Sequence, residues 1–270
     1  MGSVYAVANQ KGGVGKTTTA INIAACAAAG GEQVLLCDLD PQCNATVSLG
    51  LGRDEVPSSY ECLVGERSVA EAARPGGPDN LWIVPASRNL AGAEVELPRI
   101  SGSERRLRGM LGPVRERFAL TLLDCPPSLG PVTVNGLVAA DRVIVPVQAE
   151  YLALEGLVQF LETVDRLRRE LNPALVLTGV LITMHDDRTR LAHDVERELR
   201  DHFAELVFRT VIPRSIRVAE APSYGVPVLE HAPASRGSAA YRDLARELAE
   251  RESAADVAVT RTDPQVEVEG

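Results

Sequence analysis

Two lysines constrain this chain more than any other feature. Lys11 and Lys16 bracket the run Lys11-Gly12-Gly13-Val14-Gly15-Lys16-Thr17-Thr18, and the other 26 of the 28 basic side chains are arginine. Before the run, Ser3-Val4-Tyr5-Ala6-Val7-Ala8 is apolar and partly β-branched, the pattern of a buried strand. After it, Thr18 to Ala29 is alanine-rich and free of glycine, the pattern of a helix, and Gly30-Gly31 ends it. A strand, a glycine loop and a helix in that order build a phosphate cradle. Glycines let backbone N–H groups turn inward, and the helix N-terminus adds the positive end of its dipole. An ammonium on a thin stem fits inside such a loop where a broad guanidinium does not. In this reading the cradle is Gly12, Gly13, Val14, Gly15, Lys16, Thr17 and Thr18. Lys16 reaches the β- and γ-phosphates of a triphosphate and the Thr17 hydroxyl ligates Mg²⁺.

Strand and helix patterns alternate along the whole chain, which predicts an α/β fold: a mostly parallel twisted sheet with helices on both faces, of the P-loop NTPase type. Strands are expected at 3–8, 33–38, 81–85, 119–124, 142–147, 175–183 and 206–212, with further helices over 104–118, 154–171, 191–203 and 238–250. One domain is expected over 1–250. The last twenty residues, Arg251 to Gly270, hold five acids and two arginines without an apolar face, and read as an acidic, disordered tail. Arg74 to Asn80 reads as a surface loop.

Two further motifs sit at strand ends. In Leu36-Cys37-Asp38-Leu39-Asp40-Pro41-Gln42, alternate carboxylates end a strand and face the crevice where α/β sheets bind ligands. In Leu122-Leu123-Asp124-Cys125-Pro126-Pro127-Ser128, a hydrophobic strand ends in a carboxylate able to hold Mg²⁺ directly or through water. The five cysteines form no C-x-x-C pair and are expected to be reduced and mostly buried; the histidines are scattered without metal-ligand spacing. A net charge of −9 argues against a surface coated in basic residues, although Arg209, Arg214 and Arg217 run without an acid until Glu220, and Arg188 and Arg190 open another helix. No apolar run is long enough for a membrane span, and the N-terminus enters a strand at once, so neither a membrane anchor nor a signal peptide is expected.

The lysine-bracketed loop, D-x-D-P-Q and D-C-P-P-S together resemble the deviant Walker A ATPases, whose members include ParA/Soj partition proteins, MinD and the nitrogenase iron protein. The similarity is greatest to short ParA proteins of the Soj type. It implies that Lys11 crosses to the ATP of a partner subunit, that Asp40 positions the attacking water and that Asp38 supports the Mg²⁺ shell. Asn44 and Thr46 would lie in a first switch loop. Glu150 would touch the partner's nucleotide ribose, and Thr183, Met184 and Pro213 would hold the adenine. I-P-R-S-I-R-V-A-E is similar to the Soj pattern, which implies DNA contacts from Arg188, Arg214 and Arg217. The resemblance therefore implies an ATPase with ATP and Mg²⁺ as cofactors, a homodimer formed with ATP, and sequence-nonspecific double-stranded DNA binding. A ParB-type partner would stimulate slow hydrolysis in a cytoplasmic, nucleoid-associated setting. The competing readings are a MinD-like positioning ATPase, disfavoured by the acidic tail, and an ATP-dependent ligase of the dethiobiotin synthetase type, which would need a substrate constellation that the sequence does not display.

Overall fold

The computed structural model describes residues 2–150 and 153–261. Seven strands form one sheet: β1 (Ser3–Val7), β2 (Val34–Asp38), β3 (Arg74–Pro75), β4 (Leu81–Val84), β5 (Leu120–Asp124), β6 (Arg142–Gln148) and β7 (Val176–Thr183). Their order is β3-β4-β2-β5-β1-β6-β7, and all pairs are parallel except β3 with β4. The longer helices are α1 (Lys16–Ala29), α2 (Pro131–Ala139), α3 (Ala153–Glu170), α4 (Arg190–Phe203) and α5 (Arg236–Arg261).

The strands are apolar on both sides because helices cover both faces. Side chains alternate between two cores with the period of two that a strand dictates. Val4, Ala6, Leu35, Cys37, Leu123, Val143 and Val145 face the layer holding α2, α3 and α4. Tyr5, Val7, Val34, Leu36, Leu122 and Ile144 face α1 and α5. From β1 the chain runs to β2 on one side, and from β5 it runs to β6 on the other. That reversal opens a crevice beyond the carboxyl ends of the central strands. Val7, Asp38 and Asp124 are register partners there, so the chemistry-bearing ends of β1, β2 and β5 finish level.

Four expectations need correction. Residues 206–212 form no strand. Phe208 N–H reaches Val180 O and Ile212 N–H reaches Ile182 O, so two extra residues bulge away from the edge of β7. The amides of Arg209 and Thr210 within the bulge are taken instead by the carboxylate of Glu247, at 2.8 and 2.9 Å. The helix expected over 104–118 is broken into Arg106–Leu111 flanked by 3₁₀ turns, the second containing Pro113, which has no N–H to continue a helix. Arg74 and Pro75, expected in a loop, pair with β4. Finally, α5 continues past Glu250 to Arg261, and Arg251 donates to the carbonyls of Thr178, Glu205 and Val207. Its guanidinium caps the bulge that Glu247 holds, so the segment is docked at that point rather than disordered. The part of the expected tail over 262–270 lies outside the described residues.

Candidate functional site

The glycine loop joins β1 to α1. Gly15 caps α1 at φ 86°, a left-handed conformation that a side chain would strain, and no side chain caps the helix N-terminus. The first-turn amides therefore point into the loop. Asn9 anchors the loop's entry: its Nδ2 donates to Pro146 O at 2.8 Å and its Oδ1 accepts from Lys11 N at 3.0 Å. Nothing in the sequence reading singled out Asn9, whose role depends on β6 lying beside β1.

The two lysines part company here. Lys16 is 6% exposed and its Nζ donates to the Lys11 carbonyl at 3.0 Å, so the ammonium lies within the loop. Burial lowers its pKa, and the neighbouring Asp124 is the largest opposing influence. The Lys11 side chain is 44% exposed and points out of its own loop to Glu150, 3.5 Å away. Glu150 is held in turn by Gln148 Nε2. Tyr151, next in the chain, lies outside the described residues.

Three carboxylates line the crevice, each in a different condition. Asp38 is fully buried, and its oxygens accept from Asp40 N, Thr46 N and Thr46 Oγ1 at 3.1, 2.8 and 2.7 Å. Thr46 Oγ1 also accepts from Ala86 N at 2.8 Å. Asp38 thus fastens the Asn44–Ser48 helix and β4 to the end of β2, with three protein donors on its two oxygens. Its pKa is raised by burial despite those hydrogen bonds. Asp40 is 6% exposed and accepts from Gln42 N at 2.9 Å, which turns the chain at Pro41.

Asp124 is the exception. It is fully buried, and among the described residues neither oxygen has a hydrogen-bond partner. The Thr17 hydroxyl lies beside it without completing a hydrogen bond. Burial, and then the charge of Asp38, push its pKa well above the ordinary carboxylate range. A buried carboxylate with two unused oxygens, next to a hydroxyl and the P-loop lysine, is a fit for a hard divalent cation such as Mg²⁺. Thr17 and Asp124 are the residues that would hold it, while Asp38 stands behind them.

Thr183, Met184 and Pro213 come together as well. With Gly15, Thr18 and Tyr241 they line a cavity of about 240 Å³ beside the loop. Thr183 Oγ1 donates to Val14 O at 2.8 Å and ties β7 to the loop. Met184 adopts φ 51°, which swings the chain away from the sheet at the cavity wall. Tyr241, on α5, is a lining residue that no local sequence signal marks.

The arginines gather on the same end of the sheet. Arg188, Arg214 and Arg217 rim a depression of about 390 Å³ together with Arg236, which sequence reasoning missed because it lies on α5. Three of them are paired: Arg188 with Asp186 at 2.7 Å, Arg217 with Glu220 at 3.0 Å and Arg236 with Asp187 at 2.8 Å. Arg214 makes no ion pair among the described residues. All five cysteines are free, and Cys125 is a buried thiol with its pKa raised, chiefly by burial.

Fold and site together define a P-loop nucleotide-binding protein with a second lysine held outside the loop. The chain matches the family described as AAA domain over residues 2–177. It is 52% identical over 246 residues to the chromosome-partitioning ATPase Soj of Thermus thermophilus, covering 91% of this chain and 95% of that one. It is 48% identical over 252 residues to the chromosome partitioning protein ParA of Caulobacter vibrioides, covering 92% and 94%. The chain belongs to the Soj/ParA family of chromosome-partitioning ATPases. Among solved structures, one described as cobyrinic acid a,c-diamide synthase from Mycobacterium smegmatis, with bound ATP analog and magnesium, superposes with a TM-score of 0.83. That chain is 39% identical, with 94% of this chain and 97% of the other covered.

Proposed function

We propose that this protein is an ATP-dependent DNA-partitioning switch. ATP and Mg²⁺ occupy the loop and the crevice: the triphosphate lies on Gly12 to Thr18, and the base enters the cavity walled by Thr183, Met184 and Pro213. When bound, Mg²⁺ supplies positive charge against the phosphates. Lys16 neutralises the β- and γ-phosphates from inside the loop, and Asp40 orients the attacking water. Two chains meet across this face, Lys11 reaching the partner's nucleotide and Glu150 its ribose. The dimer presents the arginine rim twice and binds the DNA backbone without sequence preference. A ParB-type partner accelerates hydrolysis and releases the DNA. The setting is cytoplasmic and nucleoid-associated; no helix among the described residues is long and apolar enough to cross a membrane.

The observation that carries this reading is the division of labour between the lysines. One ammonium is buried where a phosphate would need it, and the other is half-exposed and pairs with Glu150. A single-subunit site has no use for the second. Filter binding to duplex DNA and light scattering, each with ATP and ADP, test the switch. ATP-dependent dimers that alone retain DNA support it, and DNA binding indifferent to nucleotide counts against it. The 39% identity to the synthase from Mycobacterium smegmatis favours one second reading, an ATP-dependent synthase. A synthase would turn over ATP in response to a small acceptor and would ignore DNA and a ParB-type protein.

A further inference from the structure

Where β7 hands over to α4, a second cluster of ligating side chains forms. His185 follows β7 by two residues, and its side chain is only 3% exposed. Its Nδ1 lies 3.0 Å from Asp187 Oδ1. A carboxylate can only accept, so Nδ1 carries a proton and donates, and in the neutral imidazole the lone pair is on Nε2. Nε2 faces Glu196 Oε2 at 3.1 Å, yet it makes no hydrogen bond. Two lone pairs opposed at that distance in a buried setting repel unless a cation lies between them.

Two neighbours complete the arrangement. His193 and Glu196 are three residues apart on α4 and share one face of it. Donor atoms of His185, His193 and Glu196 all lie within 4.8 Å of one another. The other oxygen of Glu196 accepts from Arg200 Nε at 2.9 Å, which aims Oε2 at His185. No ligand spacing along the chain marks this pair, because His185 and His193 lie on different elements and become neighbours only through the turn at Asp187; their rings meet edge to face with centroids 5.1 Å apart.

We propose that His185, His193 and Glu196 bind a divalent transition-metal ion of the Zn²⁺ class. Two imidazole nitrogens and one carboxylate oxygen suit Zn²⁺ and its neighbours, whereas Mg²⁺ and Ca²⁺ prefer all-oxygen sites. Ligand bonds of about 2.1 Å place two donors of a tetrahedral ion about 3.4 Å apart. The pair at 3.1 Å is already near that spacing. His193 is exposed, so its open side admits the ion; its Nε2 lies 3.0 Å from the Asp187 carbonyl, a contact that gives way if that nitrogen turns to the metal. Asp187 on the far nitrogen of His185 and Arg200 on the far oxygen of Glu196 are the outer partners that orient such ligands.

The ion would sit at a junction. His185 N–H donates to Ile212 O at 3.0 Å, and its carbonyl accepts from Arg214 N at 2.8 Å. Met184, just before it, lines the base cavity, while Arg188 and Arg214 rim the arginine depression. A metal therefore pins α4 to the segment shared by the two surfaces. Its influence on DNA binding rests on the function proposed above; its presence does not.

Tag-free protein without nucleotide, in excess Mg²⁺, is titrated with Zn²⁺ by calorimetry and with Co²⁺ by visible absorption. The expected result is one ion per chain, with cobalt d–d bands and no thiolate-to-cobalt charge transfer. His193→Ala and Glu196→Gln should each weaken binding by about tenfold or more, with unchanged circular dichroism. Equal affinity in wild type and His193→Ala, thiolate charge transfer, or no binding tighter than millimolar overturns the proposal. A metal-binding protein that fails to bind DNA would instead remove the partitioning reading and leave the metal site standing.

Discussion

The centre of the sheet and its β7 side treat charge in opposite ways. At the centre, Asp124 is buried with both oxygens unpartnered. On the β7 side, Arg188, Arg217 and Arg236 are exposed and each already holds an acid. A buried, unpaired charge costs stability and persists only if a ligand repays it. An exposed ion pair contributes little, so exchanging its acid for another anion is nearly free. The first arrangement fits obligatory small cofactors held at fixed distances. The second suits a surface that must grip and release a long polyanion.

The largest effect is expected at Asp40. Asp40→Ala should lower ATP turnover about 10²–10⁴-fold, the range for losing a group that positions or activates the attacking water. ATP affinity should stay close to wild type, because the loop is untouched. Phosphate release and calorimetry measure the two separately, and wild-type turnover would remove Asp40 from the chemistry.

The lysines come next. Lys16→Ala removes a buried charge-assisted contact worth about 1.5–3 kcal/mol or more, so ATP affinity should fall roughly ten- to a hundredfold. Lys11→Ala should leave that affinity nearly unchanged and abolish the ATP-dependent dimer in size-exclusion chromatography with light scattering. If Lys11→Ala still dimerises, its exposure is that of an ordinary surface lysine.

Asp124→Asn should stabilise the nucleotide-free protein by about 1–3 kcal/mol while removing its response to Mg²⁺, because the amide relieves an unpaired buried charge. The pH dependence has a definite sign. Burial raises the pKa of Asp124, so the folded chain keeps a proton that the unfolded chain has already released. Nucleotide-free wild type should therefore be favoured below the ordinary carboxylate value of about 4 and lose stability as pH rises above it. Asp124→Asn should flatten that slope. Denaturant melts between pH 4 and 8 read it, and identical slopes would mean Asp124 is solvated or paired.

How much of this was legible beforehand depended on distance along the chain. Lys16, Thr17, Asp38 and Asp124 were readable because strand-end chemistry is local: a hydrophobic run fixes the strand, and its last residue must face the crevice. The bulge after Phe208 was not readable, since it needs the carboxylate of Glu247 from a helix 38 residues on. An apolar run with β-branched residues reads as a strand until something distant takes its amides. Arg236 and Tyr241 were hidden for the same reason, as was the meeting of His185 with His193. At Asp38 the motif marks the carboxylate but not its partner Thr46, whose amide and hydroxyl both donate to one of its oxygens.

The smallest effect should fall within the arginine rim, and it is a ranking. Arg214 makes no ion pair among the described residues, so it can meet a phosphate without first leaving a partner. Arg217 must release Glu220, at 3.0 Å, before it can do the same. An exposed pair of this kind contributes at most about 1 kcal/mol, so Arg214→Ala should weaken ATP-dependent DNA binding more than Arg217→Ala, by a factor of about two to five. Glu220→Gln should bring the two closer, because Arg217 then starts unpaired as well. Arg217→Glu should reduce affinity further and flatten the salt dependence, whose log–log slope falls near −0.9 for each phosphate contacted, while ATP-dependent dimerisation persists. Titrations of duplex DNA at several salt concentrations give both numbers. If none of these arginine substitutions changes affinity or slope, the rim is a set of solvated ion pairs and the contrast with the sheet centre is one of exposure alone.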